Sequence, residues 1–128
     1  LDKIRFRRNR IIQWEEVDTD DCDCMIICYG GTARAVQGAM EYAKEHDYIN
    51  LGMFRPITVW PFPEEELLKA IKNNPRLRHI IVAEHNDGQM VLEVERIVKD
   101  RCRITHIGKV DGTTITPHEI LKKIKEVY

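Results

Sequence analysis

Apolar and polar positions along the chain fall into a repeating unit: a short apolar run, a turn rich in Gly or Pro, then a stretch of helical periodicity. Met25 to Tyr29 is a continuous apolar run, as expected of a strand covered on both faces. Gly30-Gly31 follows, with Thr32 placed to cap a helix. Ala33, Val36, Met40 and Ala43 then recur at the spacing of one helical face. The second unit runs from Leu51 to Phe54, through Pro56, Pro61 and Pro63, into a helix with Leu67, Leu68 and Ile71 inward. Pro63 suits the first helical position, and Glu64, Glu65 and Glu66 complement the positive end of the helix dipole. Ile80 to Ala83 forms the third strand; a loop through Asp87-Gly88 leads to a helix burying Met90, Val91, Val94, Ile97 and Val98. The fourth run, Cys102 to Ile107, alternates in the manner of an edge strand. Asp111-Gly112 turns the chain, and Thr116-Pro117 opens a last helix with Ile120, Leu121, Ile124 and Val127 on one face.

Four strands alternating with helices predict right-handed crossovers and a three-layer α/β/α fold around a mainly parallel four-stranded sheet, over positions 24–128. Positions 1–23 read as a linker with an N-terminal helix. Ile4, Ile11 and Ile12 have roughly helical spacing among Lys3, Arg5, Arg7, Arg8 and Arg10. Glu15, Glu16, Asp18, Asp20, Asp21 and Asp23 follow at once, which points to a connecting segment with a charged face rather than a basic arm. Sheets of this class bind ligands at the carboxyl ends of their strands, so the loops after the four strands are where chemistry is sought.

Composition narrows the classes. At 128 residues the chain is one domain. Its 20 Lys and Arg against 21 Asp and Glu argue against a nucleic-acid partner held by its phosphates. The apolar runs are too short to span a membrane, and the basic start lacks the apolar core of a signal peptide, so a cytoplasmic location is expected. The first residue is Leu, so the chain is expected to be a piece of a longer polypeptide. Cys22, Cys24 and Cys28 form C-x-C-x3-C, which can be read as a soft-metal site. The spacing departs from paired C-x2-C ligands, so buried apolar side chains in a reducing compartment are expected, with no metal site.

Three loops concentrate polar or aromatic groups. Gly30, Gly31 and Thr32 at a helix start, with Arg34, can hold a phosphate or carboxylate; a tight strand-to-helix turn alone also needs glycine. Phe54 to Pro63 interleaves Trp60 and Phe62 with prolines, either to pack inside or to face a partner, with Arg55 placed to pair with a carboxylate there. Glu84-His85-Asn86-Asp87-Gly88-Gln89 can be read as a His–carboxylate cluster, but no nucleophile accompanies it, and hydrogen bonding that fixes the loop is expected. His46, His79, His106 and His118 read as ordinary surface or sheet positions. No residue is assigned a catalytic role.

Four strings carry a family resemblance. They are Cys28-Tyr29-Gly30-Gly31-Thr32-Ala33-Arg34 (with Cys28 where Ala is usual), Phe54-Arg55-Pro56-Ile57-Thr58-Val59-Trp60-Pro61-Phe62-Pro63, Glu84-x-Asn86-x-Gly88-Gln89-Met90 and Ile115-Thr116-Pro117-x-Glu119-Ile120. In this order and spacing, over almost the whole chain, they resemble the C-terminal domain of the α subunit of 2-oxoacid:ferredoxin oxidoreductases, which is similar to the transketolase C-terminal domain. The ending Ile-Thr-Pro after Asp-Gly leans toward the 2-oxoglutarate type.

The resemblance implies a holoenzyme that oxidatively decarboxylates a 2-oxoacid, acylates coenzyme A and passes electrons to ferredoxin. It implies thiamine diphosphate, magnesium and iron–sulfur clusters, with the remaining half of the α subunit and a thiamine-binding β subunit as partners. This chain lacks both a Gly-Asp-Gly thiamine motif and a C-x2-C-x2-C cluster run, so a non-catalytic role is expected. Gly30, Gly31, Thr32, Arg34 and Arg55 are the candidates to meet the anionic end of coenzyme A. Trp60, Phe62, Glu84, Asn86, Gly88 and Gln89 are the interface candidates. Two alternatives stand beside this: a purely structural subunit-interface domain, and the C-terminal domain of a transketolase or 2-oxoacid dehydrogenase β subunit.

Overall fold

A computed structural model describes residues 3–6, 12–46, 48–57, 62–84, 89–108 and 114–127. In chain order the elements are β1 (Lys3–Phe6), β2 (Gln13–Val17), β3 (Cys24–Cys28), α1 (Thr32–Glu45), β4 (Leu51–Pro56), α2 (Glu64–Lys72), β5 (His79–Glu84), α3 (Gln89–Val98), β6 (Arg103–Gly108) and α4 (Pro117–Val127). The four expected strands are the parallel part of one sheet, ordered β1-β2-β4-β3-β5-β6. β3 is central and every residue of it is buried, which explains its unbroken apolar run. Ile26, Met53 and Ile81 face a core shared with α1 and α4. Met25, Ile27, Phe54, Ile80 and Val82 face the other core, with α2 and α3. Three layers result, and β6 is the edge strand its alternation predicted.

The sheet is wider than expected. The N-terminal helix predicted within positions 1–23 is absent from the described residues there: β1 and β2 pair antiparallel, and β2 pairs antiparallel with β4. The cause is tertiary. The free edge of β4 leaves backbone N–H and C=O groups that a strand satisfies and a helix cannot. Trp14 packs into the α2/α3 core while Val17 joins the α1/α4 core, the two-residue alternation of a strand. Two helix starts also differ from, or sharpen, expectation. Pro63 is the N-cap of α2 rather than its first residue, with Glu64, Glu65 and Glu66 in the first turn. Thr116 and Glu119 form a capping box: the Glu119 N–H donates to Thr116 Oγ1 (3.2 Å), and the Thr116 N–H donates to Glu119 Oε1 (3.0 Å).

One buried amide ties the β2–β3 turn to the α2–β5 turn. Asn74 is 2% exposed, and its Nδ2 donates to the carbonyls of Thr19 and Cys22, each at 2.9 Å. Its Oδ1 accepts from the Arg76 N–H at 3.0 Å. Asn74→Ala takes the amide donor from two buried carbonyls, leaving that of Thr19 only the weak Cys22 Sγ donor at 3.8 Å, and is expected to lower stability by about 2 kcal/mol. A urea titration should show a lower midpoint at unchanged slope.

His79 is also buried, with Nε2 2.6 Å from Thr105 Oγ1 across the β5–β6 pair. Burial first, and the charge of Arg103 second, push its pKa below the ordinary 6.5. The folded state therefore resists a proton that the unfolded chain accepts. The contribution is complete above about pH 6.5 and falls away as pH drops below that value. His79→Gln should flatten this part of the stability–pH curve, measured by urea midpoints on either side of it.

Candidate functional site

The turn after β3 begins with Gly30 at φ 65°, a left-handed conformation that strains other residues. Gly31 is the N-cap of α1; no side chain caps the helix, and no acidic residue lies in its first turn. Thr32 was the expected cap, but it is the first helical residue, and a cap must stand outside the helix. Its hydroxyl is buried without a hydrogen-bond partner among the described residues. Arg34, one turn-step on, is exposed; its N–H donates to the Gly31 carbonyl at 3.3 Å, and its guanidinium has no hydrogen-bond or ion-pair partner among the described residues. From β4 comes Arg55, and directly opposite it in register on β2 is Glu15.

These elements enclose an open cavity of about 470 Å³, lined by Glu15, Gly30, Gly31, Arg34, Gln37 and Arg55 among others. Four of the five anion candidates thus meet in one place. Their electrostatics differ from expectation, because Arg55 Nε donates to Glu15 Oε1 at 2.7 Å. Glu15 is 4% exposed, so Arg55 is pledged to a carboxylate of this chain rather than to one across an interface. Arg34 and the positive end of the α1 dipole remain to attract an anion. In the sequence Glu15 stands only as part of a charged connecting face. Its role depends on the β2–β4 pairing, which no local pattern announces.

The interface candidates separate. Glu84 is 3% exposed and turns inward, accepting from the backbone N–H groups of Met90 and Val91 at 2.9 Å each. Its Oε2 lies 3.0 Å from His106 Nε2 on β6. A carboxylate from β5 thus holds the N-terminus of α3 and does not face outward, while loop positions 85–88, where hydrogen bonding was expected, lie outside the described residues. Gly108 stands opposite Glu84 in register, and a Cβ there would lie 2.5 Å from His106 Cε1. Only glycine gives the ring this seat, a contact that sequence reading of His106 missed. Phe62 is half-buried and packs against the α2/α3 core, and Gln89 opens α3. Trp60, Asn86 and Gly88 lie outside the described residues, as do His85, Asp87 and Asp111-Gly112.

The cysteines act as core side chains. Cys22, Cys24 and Cys28 are fully buried, and Cys102 is half-buried. Burial pushes the thiols of Cys22 and Cys28 up to about 12, and that of Cys24 also upward. Protonated thiols in a dry core are poor nucleophiles. Among the described residues no cluster of His, Cys, Asp and Glu could hold a metal ion.

The family model described as pyruvate:ferredoxin oxidoreductase core domain II matches residues 22–120. The 2-oxoglutarate synthase subunit KorA of Methanothermobacter marburgensis is 35% identical over 123 residues, covering 96% of this chain and 32% of the relative. The chain therefore spans about a third of the length of such curated relatives. A 2-oxoglutarate:ferredoxin oxidoreductase from Magnetococcus marinus, solved with 2-oxoglutarate, coenzyme A and succinyl-CoA bound, superposes with a TM-score of 0.70 at 22% identity. That match covers 94% of this chain and 20% of the other. A split-gene transketolase, an inactive β4 tetramer, matches with a TM-score of 0.61 at 15% identity, over 84% of this chain and 36% of the other. At these identities the two structures speak to the fold, which is transketolase C-terminal-like.

Thiol burial has a direct check. In the native state a thiol-specific disulfide reagent should leave Cys22, Cys24 and Cys28 untouched and react slowly with Cys102, whereas all 4 cysteines should react after denaturation. Rapid native labelling of Cys24 or Cys28 would contradict the dry core.

Proposed function

The chain belongs to the pyruvate:ferredoxin oxidoreductase core domain II family, and from that premise we propose that it is a non-catalytic domain of a 2-oxoacid:ferredoxin oxidoreductase α subunit, of the 2-oxoglutarate type. The holoenzyme converts the 2-oxoacid to acyl-CoA and passes electrons to ferredoxin. The domain docks the thiamine-binding β subunit and the rest of its own subunit, and borders the path by which coenzyme A arrives. The relative named as a 2-oxoglutarate synthase subunit supports the substrate class. The cysteine usage supports a cytoplasmic location, and no helix among the described residues is long and apolar enough to cross a membrane.

Cys22 faces the α2/α3 core while Cys24 and Cys28 face the α1/α4 core, so the three thiols do not converge and do not fit an iron–sulfur cluster. The cavity at Arg34 holds one carboxylate among its lining side chains, Glu15, and that one is already paired with Arg55, so it does not present the open carboxylates that hold magnesium beside a diphosphate. The reading therefore assigns thiamine diphosphate, magnesium and the clusters to other parts of the holoenzyme.

The observation that carries the coenzyme A role is the meeting of Arg34, Gly30, Gly31 and the uncapped start of α1 at one open cavity. An unpaired guanidinium beside the positive end of the α1 dipole suits the phosphates of the phosphoadenosine end. Arg34→Ala in the full-length subunit, assembled with its partners, should raise KM for coenzyme A by about tenfold with kcat little changed, as for one charge-assisted hydrogen bond. Arg55 is the weaker probe, since its removal strands buried Glu15 and lowers stability. An unchanged KM would leave the domain as a purely structural interface, the reading that the Glu15–Arg55 pair favours.

A further inference from the structure

A second, larger cavity of about 600 Å³ lies along the other half of α1, between that helix and the turn joining β2 to β3. Its floor is apolar, with Val17, Met40 and Leu51, and its rim is acidic, with Asp18, Asp21 and Glu41 against a single Lys44. Lys44 Nζ is 4.0 Å from Asp18 Oδ2, and the two side chains are 82% and 45% exposed, so solvent screens most of that attraction. The side chains of Asp21 and Glu41 are exposed, and their carboxylates are held by no hydrogen bond or ion pair among the described residues. The negative end of the α1 dipole adds to the field here, the reverse of its sign at Arg34.

At the end of the groove stands an exposed aromatic group. Tyr48 lines the groove, Tyr42 lies edge-on to it at 6.1 Å, and His46 stacks on Tyr42 at 3.9 Å. The Tyr48 ring already draws a cation of this chain: Lys125 Nζ is 5.3 Å from its centroid. Exposed tyrosines beside an apolar floor are favoured anchor points of protein interfaces. An apolar floor, acidic rim and tyrosine wall together fit Lys and Arg side chains, whose aliphatic stems cover apolar surface while their heads meet carboxylates.

We propose that this groove docks a basic segment of another polypeptide of the holoenzyme, a Lys- or Arg-bearing stretch with aliphatic neighbours. The inference rests on the reading that the chain works inside a multi-subunit oxidoreductase, and it names the surface and the chemistry of the partner. It concerns the stretch of α1 beyond Gln37, which lines both cavities, and it does not involve Arg34.

The test compares the wild-type full-length subunit, alone and in the assembled holoenzyme, by carbodiimide and glycine ethyl ester labelling of carboxylates. Asp21 and Glu41 should label freely in the separated subunit and be protected on assembly. A full-length Asp21→Lys/Glu41→Lys variant should bind its partner about tenfold more weakly at low salt, the deficit shrinking as salt rises. Both positions are exposed, so its thermal unfolding should match the wild type. Equal labelling in both states, or wild-type affinity in the variant, would overturn the proposal. Zero-length cross-links from these carboxylates only to a second copy of this chain would overturn it as well. These outcomes leave the oxidoreductase reading standing; that reading falls separately if the wild-type subunit joins no other polypeptide and supports no 2-oxoacid oxidation.

Discussion

The whole architecture answers to one constraint: β3 has to be dry on both faces. Cys24, Met25, Ile26, Ile27 and Cys28 are each completely buried, and no residue of the strand offers a polar side chain to water. A strand of that composition is stable only at the centre of a sheet, with one helical layer above it and another below. α1 and α4 supply one layer, α2 and α3 the other. Because β3, β4, β5 and β6 run parallel, the turns that follow them collect at one rim, where ligands of such sheets bind.

Two buried carboxylates then shape that rim. Glu15 reaches from the added antiparallel strand to Arg55 and forms one wall of the Arg34 cavity. Glu84 ties the start of α3 to the end of β5 and to His106 on the neighbouring strand. In both cases a charge leaves water for partners that satisfy it, so each carboxylate acts as a positional device: the geometry around it cannot relax without stranding it. Along α1 the field changes sign, cationic where the helix begins beside Arg34 and anionic toward Asp21 and Glu41. One helix flank can thereby present two surfaces of opposite preference.

The parallel part of the fold was legible because its signals are local. The run Met25 to Tyr29, the helical spacing of Ala33, Val36 and Ala43, and the Thr116-Pro117 start each depend on residues within a few positions of one another. The N-terminal hairpin was not legible. Ile4, Ile11 and Ile12 have helical spacing, and what makes Gln13–Val17 a strand is the unpaired edge of β4, almost forty residues downstream. The same divide runs through the site. Gly30, Gly31 and Arg34 could be chosen from a strand-to-helix turn alone, whereas the pairing of Arg55 with Glu15 required knowing which strands are neighbours.

Alone, the order of residues determined a three-layer α/β/α chain with its loop chemistry gathered after the strands, since side-chain periodicity and turn residues encode local conformation directly. Its four strings also carried the family, now matched over residues 22–120. Tertiary structure alone decided which charges are spent and which are available. Arg55, Glu15 and Glu84 are committed by cross-strand register and burial, while Arg34, Asp21 and Glu41 remain exposed. The physical reason is distance along the chain: an ion pair forms between groups close in space, and a separation of 40 positions leaves no trace of that closeness in either neighbourhood.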